Sequence, residues 1–189
     1  MRIIAGTHRR KEILSPKGQQ TRPTSSQLRE SLFNICQAEL ADSIFLDLCA
    51  GSGAMGLEAL SRGASRAIFV ENHPLAIRCI KQNIKNFSFE SQSEVWSVDA
   101  SQAIHRLAQR GIRIDLAYID PPYDVLVKND KTLAQSLLEE LDQSNLLSEG
   151  ARVFLEHPEG NRFNWEALTK LRFTKERRAG KARLLEFDY

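Results

Sequence analysis

Cysteine is scarce. The 189 residues hold three, Cys36, Cys49 and Cys79, an odd number with no C-x-x-C pair, which excludes a disulfide framework and argues against a zinc site. Each is expected to act as a small apolar filler in a reducing compartment. No apolar run approaches the roughly 20 residues of a membrane-spanning helix, and the polar start MRIIAGTHRRKE lacks the apolar stretch of a signal peptide. A cytoplasmic protein without a membrane partner is therefore expected. Histidine is also sparse. None of His8, His73, His105 and His157 sits in an H-E-x-x-H pattern, so surface or packing roles and no metal site are expected. Only His157, beside Glu156, stands at the end of an apolar run, within reach of a cleft. There is no internal repeat, low-complexity tract or Gly/Ser linker, and the length suits one domain over residues 1–189.

Charge is balanced only on average. The net charge is +2, but residues 1–29 carry seven Lys/Arg (Arg2, Arg9, Arg10, Lys11, Lys17, Arg22, Arg29) against Glu12 alone. Residues 170–183 carry seven more against Glu176 alone, whereas residues 30–169 hold 12 basic and 20 acidic side chains. Basic ends around an acidic middle are the electrostatic footprint of a polyanion binder, because each neutralised phosphate releases counterions. The first 23 residues, a short apolar strand RIIAG and a turn-rich basic stretch, read as an extension.

Thr24 followed by Gln27 fits a capping box, and Leu28, Leu32, Ile35, Cys36 and Leu40 recur at helical spacing, predicting a helix over about 25–40. Beyond it the runs IFLDLC, AIFVE, VWSVD, LAYID and VFLEH are nearly continuously apolar, as strands covered on both faces of a parallel sheet should be. Helical patterns lie between them at about 54–62, 74–86, 101–110 and 131–142. Alternating strands and helices predict a doubly wound, mostly parallel α/β sheet. Two further runs, near Phe173 and at RLLEFDY, flank Gly180 and predict a closing antiparallel hairpin. The whole is a seven-stranded Rossmann-like sheet.

In such a sheet ligands bind beyond the carboxyl ends of the strands, where Asp47, Glu71, Asp99 and Asp120 end four of the apolar runs. LDLCAGSGAMG contains G-x-G-x-x-G at Gly51, Gly53 and Gly56, with Glu71 20 residues after Gly51, the spacing at which an acid meets adenosine ribose hydroxyls. That spacing suits NAD and S-adenosylmethionine alike. Asp47 separates them, because a carboxylate beside the glycine turn repels a pyrophosphate but favours the ammonium and sulfonium of S-adenosylmethionine. The stretch DPPY, Asp120 to Tyr123, ends the fourth run. Two prolines donate no backbone hydrogen bonds and hold the chain extended, leaving carbonyls free. If the Asp120 carboxylate and Pro121 carbonyl accept the two N–H bonds of an exocyclic amine, its lone pair turns toward the methyl donor and the charge growing on nitrogen is stabilised. Tyr123 would stack on the base.

With these motifs the sequence resembles a class I S-adenosylmethionine-dependent methyltransferase. DLCAGSGAMGLEALSRGA and DPPY, together with RIIAGTHRRKEI, TRPTSSQLRESLFNI and AGKARLLEFDY, narrow the resemblance to the bacterial RsmD family. The resemblance implies methylation of the exocyclic N2 of one guanine in 16S ribosomal RNA, guanine 966, in the assembled 30S subunit. No heptad seam demands a dimer, so a monomer is expected. It implies that Asp47, Ala50, Gly51 and Gly53 meet the methionyl part of the cofactor, Glu71 the ribose, and Asn72, Asp99 and Ala100 the adenine. Asp120, Pro121, Pro122 and Tyr123 form the catalytic motif. Arg9, Arg10, Lys11, Arg22, Arg177, Arg178 and Lys181 are expected to contact RNA. Cys49 stands where family members often carry phenylalanine, which touches packing rather than a polar role.

Rival readings share part of this pattern. A DNA adenine-N6 methyltransferase uses the same amine chemistry but usually carries a sizeable sequence-reading domain, for which this chain has little room. Protein-glutamine methyltransferases normally begin the motif with Asn. A non-catalytic RNA-binding assembly factor would have no need of an intact DPPY, and an NAD oxidoreductase explains neither Asp47 nor DPPY.

Overall fold

The computed structural model describes residues 1–16, 25–122, 125–127, 131–158, 163–179 and 182–189. Its elements run α1 (Ser26–Ile35), β1 (Ile44–Asp47), α2 (Ala54–Ser61), β2 (Arg66–Val70), α3 (Pro74–Phe87), β3 (Ser93–Trp96), α4 (Ala100–Gln109), β4 (Ile114–Ile119), α5 (Leu133–Gln143), β5 (Leu147–Pro158), β6 (Arg172–Ala179) and β7 (Ala182–Asp188). The seven strands form one sheet in the order β3-β2-β1-β4-β5-β7-β6. The first five pair in parallel, while β7 pairs antiparallel with both β5 and β6. This is the expected doubly wound sheet with its closing hairpin. Gly180, assigned to the hairpin turn, lies outside the described residues.

The continuous apolar runs are explained by burial on both faces. Phe45, Ala67, Phe69, Leu116 and Tyr118 pack on one side with α1, α2 and α3. Their alternating neighbours Leu46, Ile68, Val70, Ala117 and Ile119 pack on the other with α4 and α5. The strand order reverses at β1, whose neighbours are β2 and β4. At that switch the flanking connections diverge to opposite faces and leave a crevice.

Two helix ends differ from the sequence expectation. The α1 cap is Ser25, whose hydroxyl accepts the Leu28 N–H at 3.1 Å, and not Thr24, which lies outside the described residues. The helix also stops at Ile35 because Cys36 leaves helical backbone angles, although Leu40 is still buried. Apolar spacing persisted past the end because the following turn returns to the same core.

The start of the chain is not a free arm. Residues 1–13 fold back on themselves through Ile3 N–H to Lys11 O (3.0 Å), Arg10 N–H to Ile3 O (2.9 Å) and Ile13 N–H to Met1 O (2.8 Å), and Ile3 and Ile13 are buried. One leg follows α2. The buried Glu58 carboxylate accepts the N–H of Ile4 (2.9 Å) and Ala5 (3.0 Å) and the Arg62 Nε–H (2.8 Å). Near the turn a Cβ on Gly6 would stand 1.8 Å from the Ser61 carbonyl oxygen, so only glycine fits there. The other leg follows α3, where buried Asn83 accepts the Leu14 N–H (2.9 Å) and donates to Leu14 O (2.9 Å) and Ser52 O (3.0 Å).

Glu58→Ala would strand two backbone N–H groups and the partly buried Arg62. A loss of about 2–4 kcal/mol is expected in urea unfolding, with faster hydrogen exchange at Ile4 and Ala5. An unchanged unfolding midpoint would remove Glu58 from this role.

Candidate active site

At the carboxyl ends of β1, β2 and β4 lies a cavity of about 730 Å³, in the range that receives a small organic ligand. Asp47, Ala50, Gly51, Glu71, Asn72, Asp99 and Ala100 line it, as do Asp120, Pro121 and Pro122. Gly53 does not; it caps α2 in a left-handed conformation, φ +79. Tyr123 lies outside the described residues.

The glycine loop has separable parts. Gly51 and Gly53 both have positive φ, which bends the chain sharply from β1 into α2. Gly56 serves packing instead, since a Cβ there would meet Phe69 Cε1 at 2.3 Å. Helix α2 consequently lies close on β2. Its Gly56 N–H donates to Asp47 Oδ2 at 3.1 Å.

Asp47 is 1% exposed, and its Oδ1 has no hydrogen-bond partner among the described residues. Burial pushes its carboxyl up to about 7; the Gly56 N–H works against that rise, and the nearby Glu71 charge adds to it. A half-satisfied buried carboxylate on a cavity wall suits a cationic ligand, which would stabilise the ionised form. Glu71 does two things. Its Oε2 accepts the Gly51 N–H at 2.8 Å, and its Oε1 accepts the N–H groups of Asn72 and His73 at 2.9 Å each. An ionised carboxylate offers about four acceptor positions, so one on Oε2 is left for a hydroxyl. Asp99 caps α4, accepting the Gln102 N–H at 2.9 Å.

Asp120 follows directly on β4, and Pro121 after it is buried while Pro122 is exposed. Cys49 lines the cavity beside Asp120. Burial, then the charges of Asp120, Asp47 and Glu71, push its thiol up and keep it neutral. Among the described residues no cluster of His, Cys, Asp and Glu could hold a metal ion.

The cavity also collects residues that sequence reasoning did not select. Met1, Ser15 and Pro16 reach it through the folded-back start of the chain, a tertiary event with no local signal. Tyr118 lines it with its hydroxyl donating to buried Glu156 Oε2 at 2.5 Å; its position two residues before Asp120 on one strand face was a usable clue. His73, assigned to a surface or packing role, also lines the wall, with Nδ1 buried and unpartnered among the described residues. His157 is buried but not on the cavity; its ring meets Phe163 edge-on at 5.7 Å.

Of the expected RNA contacts, Arg9, Arg10, Lys11 and Arg178 are exposed. Arg177 is half-buried and ion-paired to Glu186. Arg22 and Lys181 lie outside the described residues. Arg29, counted in the basic start of the chain, is 1% exposed, with Nη2 donating to Arg2 O at 3.0 Å. It is removed from the surface charge. Ala182 pairs with Pro158 at the end of β5 and with Ala179 of β6, so the paired ends of β6 and β7, with Arg177 and Arg178 near them, share the sheet edge with the cavity.

Residues 1–188 match the family described as conserved hypothetical protein 95. The Bacillus subtilis protein YlbH, whose name provisionally assigns it as an rRNA methyltransferase, is 36% identical over 83% of this chain and 82% of its own. Ribosomal RNA small subunit methyltransferase D of Escherichia coli K12 is 33% identical over 82% of this chain and 74% of its own. A Thermus thermophilus protein of solved structure superposes with TM-score 0.82 at 28% identity, covering 98% of each chain. Among the described residues no helix is long and apolar enough to cross a membrane.

Because Asp47 is raised from 3.8 to about 7, the folded state holds its proton where the unfolded chain has lost it. Stability from this group is complete below about pH 4 and is lost as pH rises through about 7. Asp47→Asn removes the titration. The variant should therefore gain on the wild type by about 3–4 kcal/mol between pH 4 and 8, read from urea midpoints across that range, and parallel curves would contradict the assignment.

Proposed function

The chain belongs to the RsmD family, and from that premise we propose that it transfers a methyl group from S-adenosylmethionine to the exocyclic N2 amine of one guanine in small-subunit ribosomal RNA. The nucleotide implied by the family resemblance is guanine 966, and the substrate is the assembled 30S particle. The observation that supports this reading most is one cavity lined both by Asp47, whose buried Oδ1 has no partner among the described residues, and by the Asp120–Pro122 stretch.

S-Adenosylmethionine supplies an electrophilic methyl on a cationic sulfur. Asp47 is suited to its positive methionyl end, Glu71 through its remaining acceptor position to the ribose hydroxyls, and Asp99 with the Ala100 backbone to the adenine. Gly51, Gly53 and Ala50 keep the β1–α2 turn open enough for close approach, and Asn72 borders the adenine side. A dinucleotide fits less well, since Asp47 would face a pyrophosphate.

The acceptor is an aromatic amine whose lone pair is delocalised into its ring. Asp120 and the Pro121 carbonyl are assigned to its two N–H bonds. That orientation turns the lone pair out of conjugation and stabilises charge as the N–CH3 bond forms and the S–CH3 bond breaks; the amine proton then departs, with Asp120 as the nearest assigned acceptor. Pro122 keeps the chain extended, and Tyr123 is assigned to the face of the base. The exposed cations Arg9, Arg10, Lys11 and Arg178, with Arg22, Arg177 and Lys181, are assigned to phosphates.

Asp120→Ala should lower methyl transfer by about 10²–10⁴-fold while leaving S-adenosylmethionine affinity within about twofold by calorimetry. Small subunits from cells lacking this enzyme, incubated with labelled cofactor and digested to nucleosides, should yield N2-methylguanosine by mass spectrometry. N6-methyladenine on DNA instead would keep the cofactor assignment and overturn the substrate. Normal turnover by Asp120→Ala would overturn the role of the carboxylate.

A further inference from the structure

The exposed cations near the start of the chain are far from the chemistry. The His8 ring lies 5.5 Å from that of Phe87, and Lys11 Nζ stands 4.9 Å over the Phe87 ring, which puts Arg9, Arg10 and Lys11 beside the last turn of α3. The first turn of α3 follows Asn72 and His73 on the cavity wall. A helix of 14 residues is about 20 Å long. A polyanion that touches both these cations and the cavity must cross that length.

The surface it crosses is cationic. Arg78, Lys81 and Lys85 recur at i, i+3 and i+7, so they share one helix face, and all three are exposed. None has an ion-pair partner among the described residues. Several other cations of the acidic middle of the chain are ion-paired: Arg62 to Glu58, Arg66 to Glu94, and Arg152 to Glu39, Glu186 and Asp188. Residues 72–89 contain no Asp or Glu. The outward face is completed by uncharged Pro74, Leu75, Gln82 and Asn86, of which Leu75 is 47% exposed at the cavity end. Lys85 in the last turn favours the helix dipole, but Arg78 and Lys81 sit too far from that end for the dipole to explain them.

We propose that Arg78, Lys81 and Lys85 extend the Arg9–Lys11 cluster into a continuous cationic track along α3, which holds the phosphodiester backbone of the RNA substrate and leads it to the cavity. Over the ~10 Å between Lys85 and Arg78, a nucleic-acid strand presents about three charges, one for each cation. This inference rests on the ribosomal RNA reading. It adds a binding surface that the charge count of the sequence conceals, since these residues fall within the acidic middle segment.

The test compares wild type, Arg78→Gln/Lys81→Gln/Lys85→Gln, and a control, Arg106→Gln/Arg113→Gln, whose exposed cations lie in α4 and just before β4. Binding to unmethylated small subunits is measured across salt concentration, with steady-state kinetics and S-adenosylmethionine calorimetry. The triple variant should reduce the slope of log affinity against log salt by about 2–3 and raise KM at least tenfold, with kcat and cofactor affinity within about twofold. The control should match wild type. A triple variant with wild-type slope and KM, while the wild type binds and methylates, overturns the track alone. A wild type that binds no RNA overturns the substrate reading and the track with it. Equal slope losses in triple variant and control would also overturn the track, because the effect would then be one of net charge.

Discussion

A carboxylate held out of water at the end of β1 is the constraint around which the site is organised. Asp47 spends one oxygen on the Gly56 N–H, and that bond ties the end of the strand to the first turns of α2. The turn between them can close only with Gly51 and Gly53 at positive φ, and α2 can approach only because Gly56 has no side chain to strike Phe69. The second oxygen is buried without a partner among the described residues, on a residue that lines the cavity. Burying half-satisfied charge is costly, and the group responds by binding protons up to about pH 7. The fold thus carries a standing preference for positive charge at one end of the pocket.

The start of the chain is bound to this arrangement, though its composition reads as a loose basic extension. Glu58 fixes one leg to α2, and Asn83 joins the other leg to α3 and to Ser52 of the glycine loop. A single buried amide therefore connects the folded-back segment to the pocket floor. The same packing sorts the charges of that segment: it buries Arg29, leaves Arg9 and Arg10 outward and sets Lys11 on the edge of the core. Formal charge in a sequence window is a poor guide to surface potential where some of the cations are internal and others are paired.

The parts legible in sequence were those fixed by short-range chemistry. Strands covered on both faces must be apolar throughout, so IFLDLC or LAYID announced themselves, and the acids at their ends marked the edge where ligands gather. The hidden parts depended on which segments meet. Apolar spacing carried the predicted α1 helix beyond Cys36 because Leu40 packs into the same core after a turn. Ser15, Pro16 and Met1 reach the cavity only through the folded-back start, and nothing local distinguishes them. His73 was discounted for want of a metal pattern, whereas its position follows from Glu71 accepting its N–H. Tyr118 was the recoverable omission, being on the same strand face as Asp120.

The strand order accounts for why groups suited to a donor and to an acceptor can share one cavity at all. Asp47 and Tyr118 are register partners on adjacent parallel strands, and the Leu48 N–H donates to the Tyr118 carbonyl at 2.9 Å. From that fixed rung the two chains diverge, β1 into the glycine turn and β4 into Asp120 and the prolines. Extending both strands would have continued the ladder and closed the gap, but Pro121 and Pro122 have no N–H to offer it. The prolines therefore stop β-pairing next to Asp120, the residue assigned to the acceptor amine in the proposed reaction. Asp120, Pro121 and Pro122 consequently line the same cavity as Asp47. A cationic methyl donor on the β1 side and an amine on the β4 side would then meet because of sheet topology, with little demand on loop flexibility.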